Sequence, residues 1–329
     1  MQSRLRHSGN VSKTLGANNP FSWGAYWASR YSSGLVLTVN SNTQITLDWT
    51  NNGDTDYDGV SIERSTDGVT YAEIDTGTAG DVQYVDAGLT EDYYWYRIRY
   101  YRGSHYSAYS GVVYNAAPLV VYDGNTVGWY DYNDLTTITK DGANRVSVWA
   151  DKLGSGHDLL QVNGADQPLW SLANGVLFDG VSEYMKAAFA YIQPEFIYFV
   201  GRQVTWTIND YIFDGNTIIK GVLTQAVATP QIRTYAGTNS ALDANLAVNT
   251  FGIVRVLFNG LNSSLQVNEN AAWNGNSGAS DMNGFTLGAN GNNLAFSNIE
   301  VKEIPLRRTA DNAATQTIIY DYLEIANGL

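Results

Sequence analysis

Trp149-Ala150-Asp151-Lys152-Leu153-Gly154, followed by Gly175-Val176-Leu177-Phe178-Asp179-Gly180-Val181-Ser182-Glu183-Tyr184-Met185, is the stretch that decides the fold of this chain. In each piece an aspartate stands one to three residues before a glycine. Aspartate bonds its own backbone in tight turns, so Asp151 and Asp179 read first as turn formers and second as metal ligands. Asn-Gly and Asp-Gly pairs recur along the chain, at Asn52-Gly53, Asp67-Gly68, Asp141-Gly142, Asn174-Gly175, Asn259-Gly260, Asn274-Gly275 and Asn290-Gly291. Such pairs supply the positive φ angles of hairpin turns. With 44% hydrophobic and 16% charged residues, the chain reads as globular, mostly β, with a polar but weakly charged surface.

The same two pieces resemble the W-x-D-x-x-G … FDG-x-x-x-Y-(L/M) signature of concanavalin A-like, laminin-G-like jelly rolls. The resemblance extends over residues 118–329. Trp129-Tyr130-Asp131 opens it, Gln167-Pro168-Leu169-Trp170 lies between the two motifs, and strands are expected at 196–201, 251–258, 265–268, 284–289 and 299–304. It implies a sandwich that binds and displays more often than it catalyses. The tail departs from β: Ala314, Ile318, Tyr322 and Ile325 recur at helical spacing. Thr309 fits the N-cap, Asp311 the first turn and Gly328 the end of that short C-terminal helix.

Residues 35–117 alternate with period two. Ile45, Leu47 and Trp49 share one strand face, and Val60 and Ile62 repeat the pattern before the turn Ser65-Thr66-Asp67-Gly68. Tyr94, Tyr96 and Ile98 then face one way, and Trp95, Arg97 and Arg99 the other. Short strands at regular spacing predict a β-sandwich. This segment resembles a fibronectin type III domain, carried by the Trp49 strand, Gly59 to Gly68, Leu89, Tyr94 to Arg99 and Tyr109-Ser110. The resemblance implies that Trp49 is the core tryptophan and that Tyr94, or else Tyr96, is the tyrosine corner. Asn115-Ala116-Ala117-Pro118 is the boundary between the two segments. The fold class is therefore all-β: a fibronectin type III-like sandwich plus a concanavalin A-like jelly roll, with an irregular arm before them.

That arm, residues 1–34, has Arg4, Arg6, Lys13 and Arg30 and no acid, although the whole chain carries a net charge of −13. The acidic body disfavours nucleic acid, because phosphates are repelled. The arm also holds Phe21, Trp23, Tyr26, Trp27 and Tyr31. Exposed aromatics are sticky and favoured at interfaces, so the arm is expected to dock on a partner or a sister subunit. The plain alternative is a cover for the first domain's edge. The start lacks the apolar core of about 7–15 residues of a secretory signal, and no run approaches about 18 apolar residues, so no membrane insertion is expected. With no cysteine, disulfides, thiol nucleophiles and thiolate metal sites are excluded.

Among motifs that carry chemistry, Asp54-Thr55-Asp56-Tyr57-Asp58-Gly59 matches the first half of an EF-hand loop, which makes Asp54, Asp56 and Asp58 a calcium candidate. Position twelve is Ser65 instead of a bidentate glutamate, and no other cofactor is expected. Glu73-Ile74-Asp75 resembles half of the catalytic strand of jelly-roll glycosidases but lacks the third carboxylate and lies in the first segment. Glu300 and Glu303, at odd spacing, are expected on opposite strand faces, so the paired carboxylates of glycoside hydrolysis, about 5 Å apart, are not foreseen. His7, His105 and His157 stand alone in sequence. Trp129, Tyr132, Trp170, Trp206, Tyr235 and Trp273 fall near loops or strand ends of the second segment, as does Tyr130, and are the candidates for stacking on sugar rings.

A basic aromatic arm, a fibronectin-like domain and a laminin-G-like jelly roll together resemble tailed-bacteriophage virion proteins. That resemblance implies a non-enzymatic structural or adhesion protein, such as a fibre, spike or decoration. It would be assembled in the host cytoplasm, docked to capsid or tail proteins through residues 1–34, and homo-oligomeric. The jelly roll would touch a host-surface glycan. The alternatives are a bacterial carbohydrate-binding module protein and a glycan-cleaving enzyme.

Overall fold

Every strand pairing among the described residues is antiparallel, and strands such as Gln44–Thr50 and Trp95–Arg102 bury the face that their alternation marks. The computed structural model describes residues 33–51, 57–240 and 244–329. These fall into two compact units that divide between Ala116 and Ala117. The arm residues Arg4, Arg6, Phe21, Trp23, Tyr26, Trp27 and Tyr31, and the calcium candidates Asp54 and Asp56, lie outside the described residues.

The first unit is a two-sheet sandwich of fibronectin type III type. Strands Ser33–Ser41, Gln44–Thr50 and Gln83–Ala87 form one sheet. The other is built on Ala72–Thr78, Gly59–Ser65 and Trp95–Arg102, with two short strands following. Ile45, Leu47, Trp49, Val60, Ile62, Tyr96 and Ile98 fill the space between them. The alternation of Trp95–Arg102 is strict, with Tyr96, Ile98 and Tyr100 buried and Trp95, Arg97 and Arg99 half-buried on the outer face. Tyr94 is the tyrosine corner: its hydroxyl accepts the backbone N–H of Thr90 (2.9 Å) and Glu91 (2.8 Å). Tyr96 instead donates to Asp86 at 2.9 Å. In the turn after Gly59–Ser65, the Asp67 carboxylate takes the N–H of Val69 and Thr70, and Gly68 supplies a φ of +72°.

The second unit is a larger sandwich of a nine-stranded and an eight-stranded sheet. Its core packs Trp149, Phe178, Met185, Phe199, Phe213, Phe285 and Leu306 between the two sheets. The quoted motifs do what turn-forming aspartates do. Asp151 accepts the N–H of Trp129 (2.8 Å), Leu153 (3.2 Å) and Ser155 (2.8 Å). Asp179 accepts those of Val181, Ser182 and Glu183.

The strands Glu195–Gln203 and Gly252–Phe258 are buried almost throughout. A sandwich strand normally wets one face. Here the outer face of the eight-stranded sheet is covered as well, by helix α1 (Ala313–Asn327) and the 3-10 turn Leu119–Tyr122. Ile319, Tyr320, Tyr322 and Leu323 of α1 pack there with Val121, Trp129, Phe196, Tyr198 and Leu257. The buried stripe is shifted from the expected one: Ala314 and Ile325 are exposed. The N-cap is Asn312, which accepts Thr315 N–H at 3.0 Å, and not Thr309. Asp311 is withdrawn from the first turn because the buried guanidinium of Arg307 holds it at 2.7 and 2.8 Å. Gly328 ends the helix in the left-handed region, as foreseen.

The final strand, Asn298–Arg307, corrects one expectation. Its pairing slips beside Val200 and Gly201, where Val200 faces Glu303 and Gly201 faces Val301. The extra residue, Lys302, is a bulge. It brings Glu300 and Glu303 to the same, helix-covered side, while Ile299, Val301, Ile304 and Leu306 all remain in the inter-sheet core. Glu303 is sealed beneath α1, accepting the indole N–H of Trp129, the Tyr322 hydroxyl and the Asn327 amide, each at 2.8 Å. The ammonium of Lys302 donates to the Asn327 carbonyl at the helix C-terminus (2.9 Å), where the macrodipole favours a cation.

Candidate functional site

The outer side of the nine-stranded sheet is covered in part: Thr286 and Asp214 are fully buried there, while Leu160 is exposed and Lys186, Tyr211, Thr224, Arg233 and Tyr235 are half-buried. Register pairing sets out its residues. Leu160, Lys186, Thr286 and Asp214 form one row across four strands. Tyr211, Thr224 and Arg233 form another, and Tyr235 sits beside it opposite Val222. Residues of the same strands that point inward, such as Met185, Leu223 and Ile232, are in the core.

An aromatic line crosses this face. Tyr184 and Phe296 approach with ring centroids 6.4 Å apart, Phe296 bridges to Tyr211 through the backbone, and Tyr211 and Tyr235 flank the strand Val222–Gln225, opposite Thr224 and Val222. All four are half-buried. Burial first, then Asp214 and Tyr235, pushes the Tyr211 phenol above its ordinary range. These rings combine apolar area with a polar tip, the composition suited to a ligand face.

Asp214 builds the loops that flank the line. It is fully buried, and its carboxylate accepts four backbone N–H groups: Gly215 (2.8 Å), Ile219 (2.9 Å), Lys220 (2.8 Å) and Gly291 (3.0 Å). One side chain thus gathers the 215–221 turn and the 288–296 loop. Lys186 reinforces the second by donating to the Gly291 carbonyl at 2.8 Å. Burial lowers its ammonium, with Asp214 opposing. Gly291 admits no side chain, since a Cβ there would lie 2.2 Å from the Thr217 backbone. Ile219 holds φ +64°, a conformation that costs a β-branched residue about 1–2 kcal/mol, with its side chain 40% exposed at the rim.

Of the sugar-stacking candidates, Tyr235 alone falls on this line. Trp206 stands at the far end of the same strand, its indole N–H donating to the Gln231 carbonyl at 3.2 Å. The others are placed elsewhere. Trp129 is fully buried between Tyr122 and Tyr322, with Lys152 4.6 Å from its ring, so no face is open to a sugar. Tyr130 is likewise fully buried, and Tyr132 is only 8% exposed. Trp170 donates to the Tyr132 carbonyl (3.0 Å) beneath Lys140, and both Trp170 and Trp273 pack against the core. Their buried positions follow from alternation combined with bulges and edge strands, which a single sequence does not locate. Tyr184, Tyr211 and Phe296 were missed, although Tyr184 sits inside the motif quoted first and alternates with core Met185.

The carboxylates pushed up furthest are buried and bonded to backbone or side chains, although Glu195 Oε2 has no hydrogen-bond partner. Burial pushes Glu195 up to about 9, Glu183 up to about 7 with Asp179 adding, and Glu303 up to about 7 with Asp131 adding. Glu195 accepts Met282 N–H at 2.7 Å and is fully buried. Glu183 accepts Asp179 N–H at 2.9 Å. Glu300 is paired with Arg202. Asp58, the described member of the calcium triplet, accepts the N–H of Gly103 at 2.8 Å. His157 stacks on Phe189 and contacts the Val127 carbonyl. Among the described residues no group of three metal-type side chains converges, and no helix is long and apolar enough to cross a membrane.

No family model matches the chain, and no curated protein matches it. Among solved structures, it is similar to a fibronectin type III domain of human fibronectin type III domain containing protein 3, with 22% identity and a TM-score of 0.23, over 26% of this chain and 82% of that one. A structure named FN3tt mut gives 15% identity and 0.22, over 26% and 91%. Trypanosoma rangeli sialidase in complex with sialic acid gives 13% identity and 0.42, over 89% of this chain. The match spans 53% of the sialidase chain.

Proposed function

We propose that the protein is a non-enzymatic structural and adhesion component of a bacteriophage virion: a fibre, spike or decoration. In this reading its second sandwich is a concanavalin A-like, laminin-G-like display domain that meets a host-surface glycan. The observation that carries it is the set of half-buried aromatics Tyr184, Phe296, Tyr211 and Tyr235 on the outer side of the nine-stranded sheet, framed by loops that a single buried carboxylate holds in place. A preorganised aromatic surface binds without a large ordering cost. The engagement of Glu183, Glu300 and Glu303 in structural bonds favours binding over turnover. The same face would serve a carbohydrate-binding module. A glycan-cleaving role has the shared side of Glu300 and Glu303 in its favour, but α1 seals Glu303.

Docking to capsid or tail proteins and homo-oligomerisation are assigned to residues 1–34, whose composition suits a contact with an acidic protein surface. The test has two parts. The full chain on a glycan array should bind a defined set of glycans, and Tyr211→Ala with Tyr235→Ala should weaken it about tenfold or more. Unchanged binding in that pair refutes the site. Residues 35–329 should fail to enter particles that incorporate the full chain; normal incorporation refutes the arm's role.

A further inference from the structure

The outer face of the three-stranded sheet in the first unit is almost without charge. Register pairing sets Val36 beside Asp48 and Gln83, and Thr38 beside Thr46 and Val85. On the central strand Thr46 and Asp48 are half-buried; Thr38 and Gln83 are exposed, and so are Val36 (54%) and Val85 (43%). The opposite side of the central strand enters the core through Ile45, Leu47 and Trp49. A solvated face normally mixes charges of both signs. Here Asp48 is the sole charged side chain of the two rows, held by the Gln83 amide at 2.7 Å. None of the three strands contains a lysine or an arginine. The unit's basic residues, Arg64, Arg97, Arg99 and Arg102, all belong to the other sheet.

The chain enters this sheet at Ser33, opposite Thr50. Between Ser33 and Val36 the pairing slips, and Gly34 stands at φ +68°. A bulge with glycine in the left-handed region bends its strand. The core fills the inner side, so the outer face is the side open to the arriving chain. That chain is the arm, whose last part carries Phe21, Trp23, Tyr26, Trp27, Arg30 and Tyr31. Fully extended, it places Tyr31 within about 7 Å of Ser33 and Phe21 within about 40 Å. The outer strands of a three-stranded sheet are only about 10 Å apart, so each of these aromatics is in reach of the face. Asp48 stands near the entry, on the same strand as Thr50.

We propose that the outer face of the three-stranded sheet is the docking site for residues 21–31 of the same chain, with the arm's aromatics over Val36 and Val85 and Arg30 beside Asp48. The tether selects this occupant. A segment joined to the first residue of the sheet meets it at an effective concentration of about millimolar, which a sister copy or a foreign protein has to exceed. Composition agrees: aromatic rings suit a face of valine and threonine, and the one charge on the face is opposite in sign to the arm's. Arg4, Arg6 and Lys13 lie further from the tether and stay available for the particle docking proposed above. That docking is read by particle entry and this contact by cross-linking, so either can fail without the other.

The chain has no cysteine, so engineered pairs report the contact without background. In the full chain, Val85→Cys is combined in turn with Trp23→Cys, Tyr26→Cys and Trp27→Cys. The same three are combined with Val69→Cys, 82% exposed in the turn between Gly59–Ser65 and Ala72–Thr78 of the other sheet. Melting temperatures check that each variant keeps the fold. After mild oxidation, peptide mapping by mass spectrometry reads which cysteines have joined. At least one Val85 pair is expected to close within a single chain about tenfold faster than its Val69 counterpart. The proposal is overturned if no Val85 pair outpaces its counterpart, or if the bonds join two chains, which would make the occupant a second copy.

Discussion

Glu303→Gln should change the pH dependence of stability more than stability itself. Glu303 is fully buried and faces Trp129, Tyr322, Asn327 and the nearby Asp131, which in turn holds Lys152 at 2.7 Å. Burial and Asp131 raise its carboxyl to about 7 from an ordinary 4.5. The folded chain therefore keeps this proton at pH values where the unfolded chain has released it. Stability falls as pH rises from about 4.5 through about 7, and the loss is complete above the folded value. Between pH 5 and pH 8 this group alone removes about 2 kcal/mol.

Glutamine has the same shape and no charge to bury. Its carbonyl can accept from Trp129 and Tyr322, and Asn327 can turn its amide to meet the new NH2 group. The variant and the parent should therefore match within about 1 kcal/mol at pH 5. At pH 8 the variant should be the more stable by about 2 kcal/mol. Glu195 and Glu183 are present in both proteins and cancel in the comparison. Calorimetric unfolding of both full chains at the two pH values reads the difference. Equal losses in parent and variant between pH 5 and pH 8 would refute the account of Glu303 as a buried, titrating clasp.

Further outcomes follow from other contacts. Arg307→Leu should cost about 3–5 kcal/mol and loosen the cover of the eight-stranded sheet, because it strands the carboxylates of Asp311 and Asp123; denaturant unfolding and far-ultraviolet dichroism would report it. Gly291→Ala should destabilise by about 2 kcal/mol and weaken any glycan binding, since a Cβ would strike the Thr217 backbone and displace the loop that Asp214 and Lys186 hold. Ile219→Asn should raise stability by about 1 kcal/mol by relieving a β-branched residue at positive φ, with binding affinity measured alongside to show whether the exposed isoleucine contributes to the rim.

How much of this was legible depended on whether a residue acts locally. Asp151, Asp179 and Asp67 bond within a few residues of themselves, and their turns are readable from spacing. Tyr94 could be named a corner, yet only the bonds to Thr90 and Glu91 separate it from Tyr96. The bulge at Lys302 could not be read, because it depends on how Glu195–Gln203 registers against the last strand. That one inserted residue reversed the expected faces of Glu300 and Glu303. The stripe of α1 was displaced because Tyr320 and Leu323 pack against residues far away in sequence, Trp129 and Phe196 among them. For the same reason Trp129 looked like a loop aromatic and Tyr211 did not.

Asp214 grips both rim loops through backbone N–H groups and makes no demand on their side chains. Thr217, Ile219, Asn292 and Leu294 are exposed there. Their identities can therefore drift while the hinge of the site stays intact. Such an arrangement separates inheritance of shape from inheritance of specificity. A lineage under pressure to follow a changing surface could rewrite the rim and keep the scaffold, and a laboratory library varied at those four positions would start from the same freedom.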